Sequence, residues 1–296
     1  MQLSEFFSAQ EIVRDGIFQD LGYSSHSGHK LLTFCDNINY LESALANENV
    51  VAIIVKEDMK EKLLATNLAI VVVDAPRKAF FQLYEYMRDN KRFITASTYG
   101  VDPSAKIAAS AIVSKRCYIG KNSVISDNVV IKDDVFIGDN CFVDVGVIVG
   151  SEGILYSYDE NEDTHFIQHA GRVVIEHNVT LLSNAVVVRS VFPNMPTKIG
   201  HHSIIGIATT IGHEASIGAN CKILGNCVIA KNVEINTDTT ISSSSVVREN
   251  VKIGSHVSVK AGSVVVKDVA DNQSVSGNFA LDHRLHIKDY FKKQRG

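Results

Sequence analysis

The sequence predicts a mainly β protein built around a parallel β-helix, preceded by a small α/β domain and followed by a helical tail. Two regularities and one interruption carry that expectation. From Val101 an aliphatic residue returns every sixth position, through Ile107, Val113, Ile119, Ile125, Ile131, Ile137 and Val143. Four places after each stands a side chain no larger than valine, among them Ala105, Ala111, Cys117, Ser123 and Cys141. The rhythm breaks over residues 150–174, resumes at Ile175 and runs to Val265, with Val269 in the last small slot and Pro193 the one uncharacteristic aliphatic position. Hexads of this kind mark a solenoid in which each coil stacks on the last around a continuous core. At three hexads to a coil the repeats make about eight coils, each rising by the ~4.8 Å between paired strands.

Residues 1–97 contain no hexads and form the α/β domain. VVAIIV from Val50 and AIVVVD from Ala69 read as buried strands, and KAFFQLYEYMRDN from Lys78 has helical spacing. Residues 98–270 form the prism. The acidic, aromatic-bearing segment GSEGILYSYDENEDTHFIQHAGR, from Gly150 to Arg172 within the inserted loop 150–174, is a long loop on a rigid scaffold, the usual place for functional contacts. Residues 271–296 end in LDHRLHIKDYFKKQRG, a basic amphipathic helix expected to cover the last coil.

Composition narrows the function. A net charge of -4 gives no basic footprint for nucleic acid. No apolar run approaches the ~20 residues of a membrane span, and the first residues lack the basic and apolar regions of a signal peptide. A cytoplasmic location is the default expectation. Of the 5 cysteines, Cys117, Cys141, Cys221 and Cys227 occupy small corner slots, where packing explains them. Cys35 lies outside the repeats.

His213, in IGHEASIG, is the leading candidate for acid–base chemistry, because an imidazole accepts a proton near neutral pH. It holds the third hexad position, which points away from the core. Counting a regular coil each way puts Met195 below it and Lys231 above it. A solvated surface histidine is the bland alternative. His165 and His169 in HFIQH do not have the spacing of a closed zinc site, and no metal is expected. His201 and His202 read as surface residues. SGHK at Ser27 has hydrolase-like spacing but no partner motifs.

The block TKIGHHSIIGIATTIGHEASIGAN resembles UDP-3-O-acylglucosamine N-acyltransferases, hexapeptide-repeat enzymes of the lipid A pathway. His213 falls on their catalytic histidine. GSEG from Gly150 and GRVVI from Gly171 match the ends of their insertion, and Arg189 matches an arginine of theirs. TFCDNINY, from Thr33 to Tyr40, is similar to their uracil-binding segment. The resemblance implies that the β-helix is left-handed and that three copies assemble with clefts between prisms. It also implies His213 as general base, the Lys231 backbone N–H as oxyanion donor, and Phe34, Asn37 and Tyr40 around a pyrimidine nucleotide. Arg189 and Tyr156 of the insertion join them as expected substrate contacts.

There are departures. Gly206 and Ile207 replace an Asp-Asn pair, Asn250 replaces a second histidine, Lys231 stands where the family has glycine, and SGNFA near the end is closer to sugar N-acetyltransferases. They point to a relative that acylates the amine of a UDP- or dTDP-linked amino sugar, with a short acyl group from acyl-CoA and no permanently bound cofactor. The alternatives are the lipid A enzyme itself, with acyl carrier protein as donor, and a non-catalytic scaffold or carbohydrate-binding protein.

Overall fold

The computed structural model describes residues 1–93, 98–158 and 163–277, together with 284, 285 and 292. Short strands from Gly100–Val101 to Ser274–Val275 stack into three parallel sheets of 9, 8 and 8 strands. This is the left-handed parallel β-helix expected. Ile125, Ile131 and Ile137, one from each face, point into a common core that continues through Ile211, Ile217 and Ile223. The strands continue past residue 270, so the prism is one strand longer than the repeats suggest. Of the expected tail helix only Arg284, Leu285 and Lys292 are described, each helical, and the rest lies outside the described residues.

Corners are made by a position the aliphatic pattern does not reveal. From Ile119 onward the backbone is left-handed three places after most of the aliphatic residues, as at Asn122, Asn140, Asn184, Asn226 and Asn250, with φ of 56° to 61°. Asparagine tolerates this region better than most residues. The small residue that follows is buried under the turn, and Ser123, Ser203 and Thr239 there also donate hydroxyl bonds to corner carbonyls one coil on, at 2.8 Å.

Regular coils pair residues eighteen apart, as Asn122 with Asn140. Three departures from that step follow. The 150–174 insertion leaves between Ser151 and Val173, and Ile137 pairs directly with Ile175. A second excursion follows Val188. Val187 pairs with Ile211, so the hexad around Pro193 is a loop and not a prism face, and Phe192 at its tip is fully buried outside the prism. The excursion thus interrupts the column beneath His213, and Met195 lies on the loop, where the Ser27 hydroxyl donates to its sulfur at 3.3 Å. Near the end, Val269 pairs with Ile253 and takes an interior place, not the corner slot its spacing implied.

The α/β domain has a five-stranded sheet, with β1 (Ile12–Arg14), β2 (Asp20–Leu21), β3 (Leu31–Cys35), β4 (Val50–Val55) and β5 (Ala69–Val72) in the order β1-β5-β4-β3-β2. Only β1 is antiparallel to its neighbour. Alternation along β4 sends Ile53 and Val55 to one face, under α1 (Leu41–Ala46) and α2 (Glu57–Leu63). Ala52 and Ile54 face the other side, under Phe80, Phe81 and Tyr84 of α3 (Pro76–Asp89). Leu155 and Ile167 of the insertion and Val191 and Phe192 of the second excursion join that layer. The prism loops thus complete the core of the α/β domain.

Asn226 is exposed, with φ of 57°. Asn226→Val puts a branched side chain into the left-handed region and is expected to lower stability by about 1–2 kcal/mol. Asn226→Gly is expected to cost less, from chain entropy alone. Equal shifts of the guanidinium unfolding midpoint for the two variants would show that the corner geometry is not limiting.

Candidate active site

His213 follows the strand Thr210–Ile211 at a prism corner, and its side chain is only 12% exposed because the insertion and the α/β domain close over it. Glu214, next in sequence, occupies the left-handed corner position at φ 60° and is almost wholly buried. Its backbone N–H donates to the Thr197 hydroxyl at 2.8 Å, and one carboxylate oxygen accepts from the Val191 N–H at 3.2 Å. The other lies 3.4 Å from His213 Nδ1. A carboxylate only accepts, so this contact favours the His213 tautomer with hydrogen on Nδ1 and a lone pair on Nε2.

His169, from the end of the insertion, stacks edge-on against His213 with ring centroids 5.2 Å apart. It is 3% exposed. Gly153 closes the other side. A Cβ there would stand 2.7 Å from His169 Cε1 and 3.1 Å from His213 Cδ2, so only glycine lets the chain approach both rings. His26, from the loop after β2, packs on Phe192 and Tyr23 and completes the buried cluster.

Burial pushes the pKa of His26 down, with Glu214 opposing and the charge of His213 assisting. Burial likewise pushes His169 down, against a hydrogen bond to the Arg189 carbonyl. For Glu214 burial acts upward, but the bond with His213 and the charges of His26 and His213 outweigh it, and its pKa is lowered. Burial and the neighbouring Glu214 raise Tyr23 to about 12.

One coil above, the Asn232 N–H donates to the His213 carbonyl at 3.1 Å, which places Lys231 beside His213. At the same hexad position Lys121, His201 and Ser255 donate their backbone N–H outward, to Asp139, Glu176 and Asp271 carboxylates. The Lys231 N–H has no such partner among the described residues. Gly212 makes room for it, since a Cβ there would stand 2.7 Å from Lys231 N.

A separate cleft of about 590 Å³ opens at the carboxyl ends of β3, β4 and β5. Asp36, Lys56 and Asp74 line it from the strand ends, Arg77 and Lys78 from the start of α3, and Tyr156 and Tyr158 from the insertion. The Arg77 N–H donates to Asp36 at 3.2 Å. Clefts at the carboxyl ends of parallel strands are the usual ligand sites of such sheets. Cations and a helix N-terminus suit phosphates, and the carboxylates suit sugar hydroxyls.

The expected site residues divide. His213 and the Lys231 N–H lie together, and Tyr156 lines the cleft. Phe34 packs on Phe80 at 4.9 Å and belongs to the aromatic layer under α3. Asn37 accepts from the Asn39 N–H to start a short 3₁₀ turn, and Tyr40 is 64% exposed; none of the three lines the cleft, to which TFCDNINY contributes Asp36. Arg189 is occupied internally: its guanidinium donates to the Gly171 and Asp133 carbonyls at 3.0 and 3.1 Å and pairs with Asp134 and Glu152. His169, Glu214, Lys56, Arg77 and Lys78 carried no signal as site residues in the sequence reading. Among the described residues no group of three or more metal-ligating side chains is arranged for a metal ion, and no helix is long and apolar enough to cross a membrane.

The chain matches no protein-family model and no curated protein sequence. It is similar to solved structures. The UDP-N-acetylglucosamine acyltransferase from Campylobacter jejuni is 24% identical over 65% of this chain and 83% of its own, with a TM-score of 0.50. The Arabidopsis UDP-N-acetylglucosamine acyltransferase is 22% identical over 62% and 71%, with a TM-score of 0.48. The acetyltransferase domain of PglB from Neisseria gonorrhoeae is 17% identical over 86% and 99%, with a TM-score of 0.21. At this distance the likeness establishes the hexapeptide-repeat fold.

Histidines held neutral by burial make folding pH-dependent. Their folded pKa lies below the unfolded value of about 6.5, so below that pH the unfolded chain binds protons the folded chain does not. The stability contribution is complete above about 6.5 and is lost as pH falls beneath it. Stability is therefore expected to drop as pH falls from about 6.5 to 5.5, by up to ~1.4 kcal/mol per pH unit for each such histidine. His169→Gln should flatten that slope in denaturant titrations; an unchanged slope would assign the dependence to other groups.

Proposed function

We propose that the protein transfers an acyl group from a thioester to the amine of a nucleotide-linked amino sugar. The observation that carries this reading is the path of the insertion. Gly153 packs on His213, and three residues later Tyr156 lines the cationic cleft. Three residues of chain span at most about 11 Å. A nucleotide diphosphate in the cleft would therefore hold its sugar within reach of His213.

The α/β cleft binds the nucleotide, with Arg77, Lys78 and Lys56 on the diphosphate and the Tyr156 and Tyr158 rings available to stack. His213 accepts a proton from the attacking amine through Nε2, while buried Glu214 holds the ring from the Nδ1 side. The Lys231 N–H stabilises the oxyanion of the tetrahedral intermediate. As it collapses, the carbon–sulfur bond breaks and the proton passes from His213 to the leaving thiolate. Positioning supplies much of the remaining rate, because a thioester is already activated.

The donor in this reading is acyl-CoA with a short acyl group. It rests on the sequence departures at Gly206, Ile207 and Asn250, and acyl carrier protein is the alternative. Assembly as a homotrimer is supported by one prism face. The outward column Ile112, Val130, Ile148, Val186, Thr210, Val228, Val246, Val264 is almost wholly aliphatic along its length, with Ile112 66% and Val264 56% exposed. A face of that kind suits burial against another copy. It adjoins the corner that carries His213, so the thioester would enter between subunits.

Two variants separate the parts. His213→Ala is expected to lower kcat by about 100- to 10,000-fold in acyl transfer to UDP- and dTDP-amino sugars, with the trimer mass in sedimentation unchanged. Near-normal turnover would exclude His213 as the base, and a monomeric wild-type mass would exclude the intersubunit cleft. Arg77→Ala is expected to raise KM for the nucleotide sugar and to shrink the rise in melting temperature produced by UDP. An unaltered UDP shift would place the nucleotide elsewhere.

A further inference from the structure

His169 carries a feature that the reaction described above does not use. Its Nδ1 lies 3.0 Å from the Arg189 carbonyl oxygen, which can only accept, so Nδ1 bears the hydrogen and Nε2 is left with a lone pair. That Nε2 is buried and has no hydrogen-bond partner. A buried acceptor left in this state opposes folding, and such groups in native proteins call for an explanation. The geometry around it is fixed from several sides. The Glu152 carboxylate accepts the His169 backbone N–H at 2.8 Å, Arg189 is clamped by Gly171 and Asp133, and the ring stands against His213.

His213 presents the same kind of atom. With Nδ1–H toward Glu214, its Nε2 is also a lone pair. Two acceptor nitrogens on rings 5.2 Å apart cannot bond to each other without a proton between them. A group with two hydrogens on one atom satisfies both. Gly153 is the chain segment against the Cδ2 edge of His213 and Cε1 of His169, and its neighbours Glu152 and Ile154 are exposed, Ile154 to 84%.

We propose that His169 is the second acceptor of the site, holding one N–H of the incoming amine while His213 takes the proton from the other, so that the site selects an amine over a hydroxyl nucleophile. The inference rests on the acyl-transfer reading and deepens it. A neutral –NH₂ offers two hydrogens and a lone pair. The nitrogen lone pair forms the new bond to the thioester carbon, one hydrogen leaves to His213 Nε2, and the other remains on the product amide. A hydroxyl offers one hydrogen. It can satisfy His213 or His169, and the other acceptor stays buried and unpaired. Sites built to bond a polar hydrogen reject analogues lacking it by large factors.

The test uses a panel of UDP-linked amino sugars and the matched hydroxy sugars, with acyl-CoA as donor, at a pH where the amine is neutral. Wild type, His169→Gln and His169→Leu are compared in kcat/KM, and in the affinity for each acceptor measured calorimetrically without donor. His169→Leu is expected to lower the amine-to-hydroxyl ratio of kcat/KM at least 10-fold and to lower the corresponding ratio of affinities. His169→Gln keeps an acceptor oxygen and is expected to retain most of the preference. A loss in His169→Leu that is equal for both acceptors marks a packing role and overturns the inference while leaving the acyl-transfer reading in place. So does a preference unchanged in both variants. Wild type that neither binds nor acylates any member of the panel overturns the reading and the inference together.

Discussion

The register of the prism governs everything else in the molecule. Each coil must hand its backbone N–H groups to the coil above at the same three faces, so a strand that slipped by one residue would turn its aliphatic side chains outward. Extra residues therefore cannot be accommodated within a coil, and they leave the prism at corners as loops. The chain does this twice on adjacent coils, after Ser151 and after Val188, and the coils close beneath both loops with Ile137 on Ile175 and Val187 on Ile211. Both loops leave beside the corner that carries His213. A repetitive scaffold with nothing but ladder hydrogen bonds on its surface gains a site where its repetition fails.

What fixes the loops is the α/β domain. Tyr84 on α3 is buried, and its hydroxyl donates toward the Val191 carbonyl at 2.9 Å and accepts from the Ala170 N–H at 2.6 Å. One side chain thus ties the helix to both excursions, and Phe192 packs edge-on against its ring. Burial drives the phenol pKa far up, which keeps the hydrogen in place for that bridge. The consequence is mechanical. His169 and Gly153 are anchored through their neighbours to the layer under α3, whose first residues line the α/β cleft, so the cleft and the histidine pair belong to one packed unit. Catalytic groups on loops need such support to hold their geometry.

The sequence made the prism legible because its core is one-dimensional: residues far apart in the chain obey the same local rule, and a period of six reports it directly. The asparagines at Asn122, Asn140, Asn184 and Asn226 carried the corner geometry as well, and attention to the aliphatic and small positions alone passed over them. The Pro193 hexad shows a limit of the method. Six extra residues preserve the phase, so periodicity cannot tell a face from a loop of the same length, and the regular column that counting places under His213 is in fact interrupted by that loop. The two-residue deficit near Val269 was hidden in the same way, since valine suits a corner and an interior place alike. His213 was legible through its context. His169 was not, because its burial depends on the docking of α3, a long-range event with no local pattern. TFCDNINY sends Asp36 to the cleft and not Phe34, Asn37 or Tyr40, at the point where β3 ends and backbone geometry, not residue type, decides direction.

The site concentrates groups that oppose folding: a buried carboxylate, three histidines, two ring nitrogens, on His26 and His169, without a hydrogen-bond partner, and a non-glycine residue in the left-handed region. A small globular domain with a stability of about 5–15 kcal/mol has little room for such a set. In a solenoid the cost is local, because stability is close to a sum over repeats and their interfaces. The strand before His213 has three strands on one side of it in its sheet and four on the other. Terminal coils fray, and a site near either end would share that motion. A central coil is held from both directions by ladders that continue through coils whose only task is to pack, and this lets Glu214 remain buried and charged between two imidazoles. The length of the prism, which no single substrate could use along its whole extent, is then explained as the support that a strained and polar centre requires.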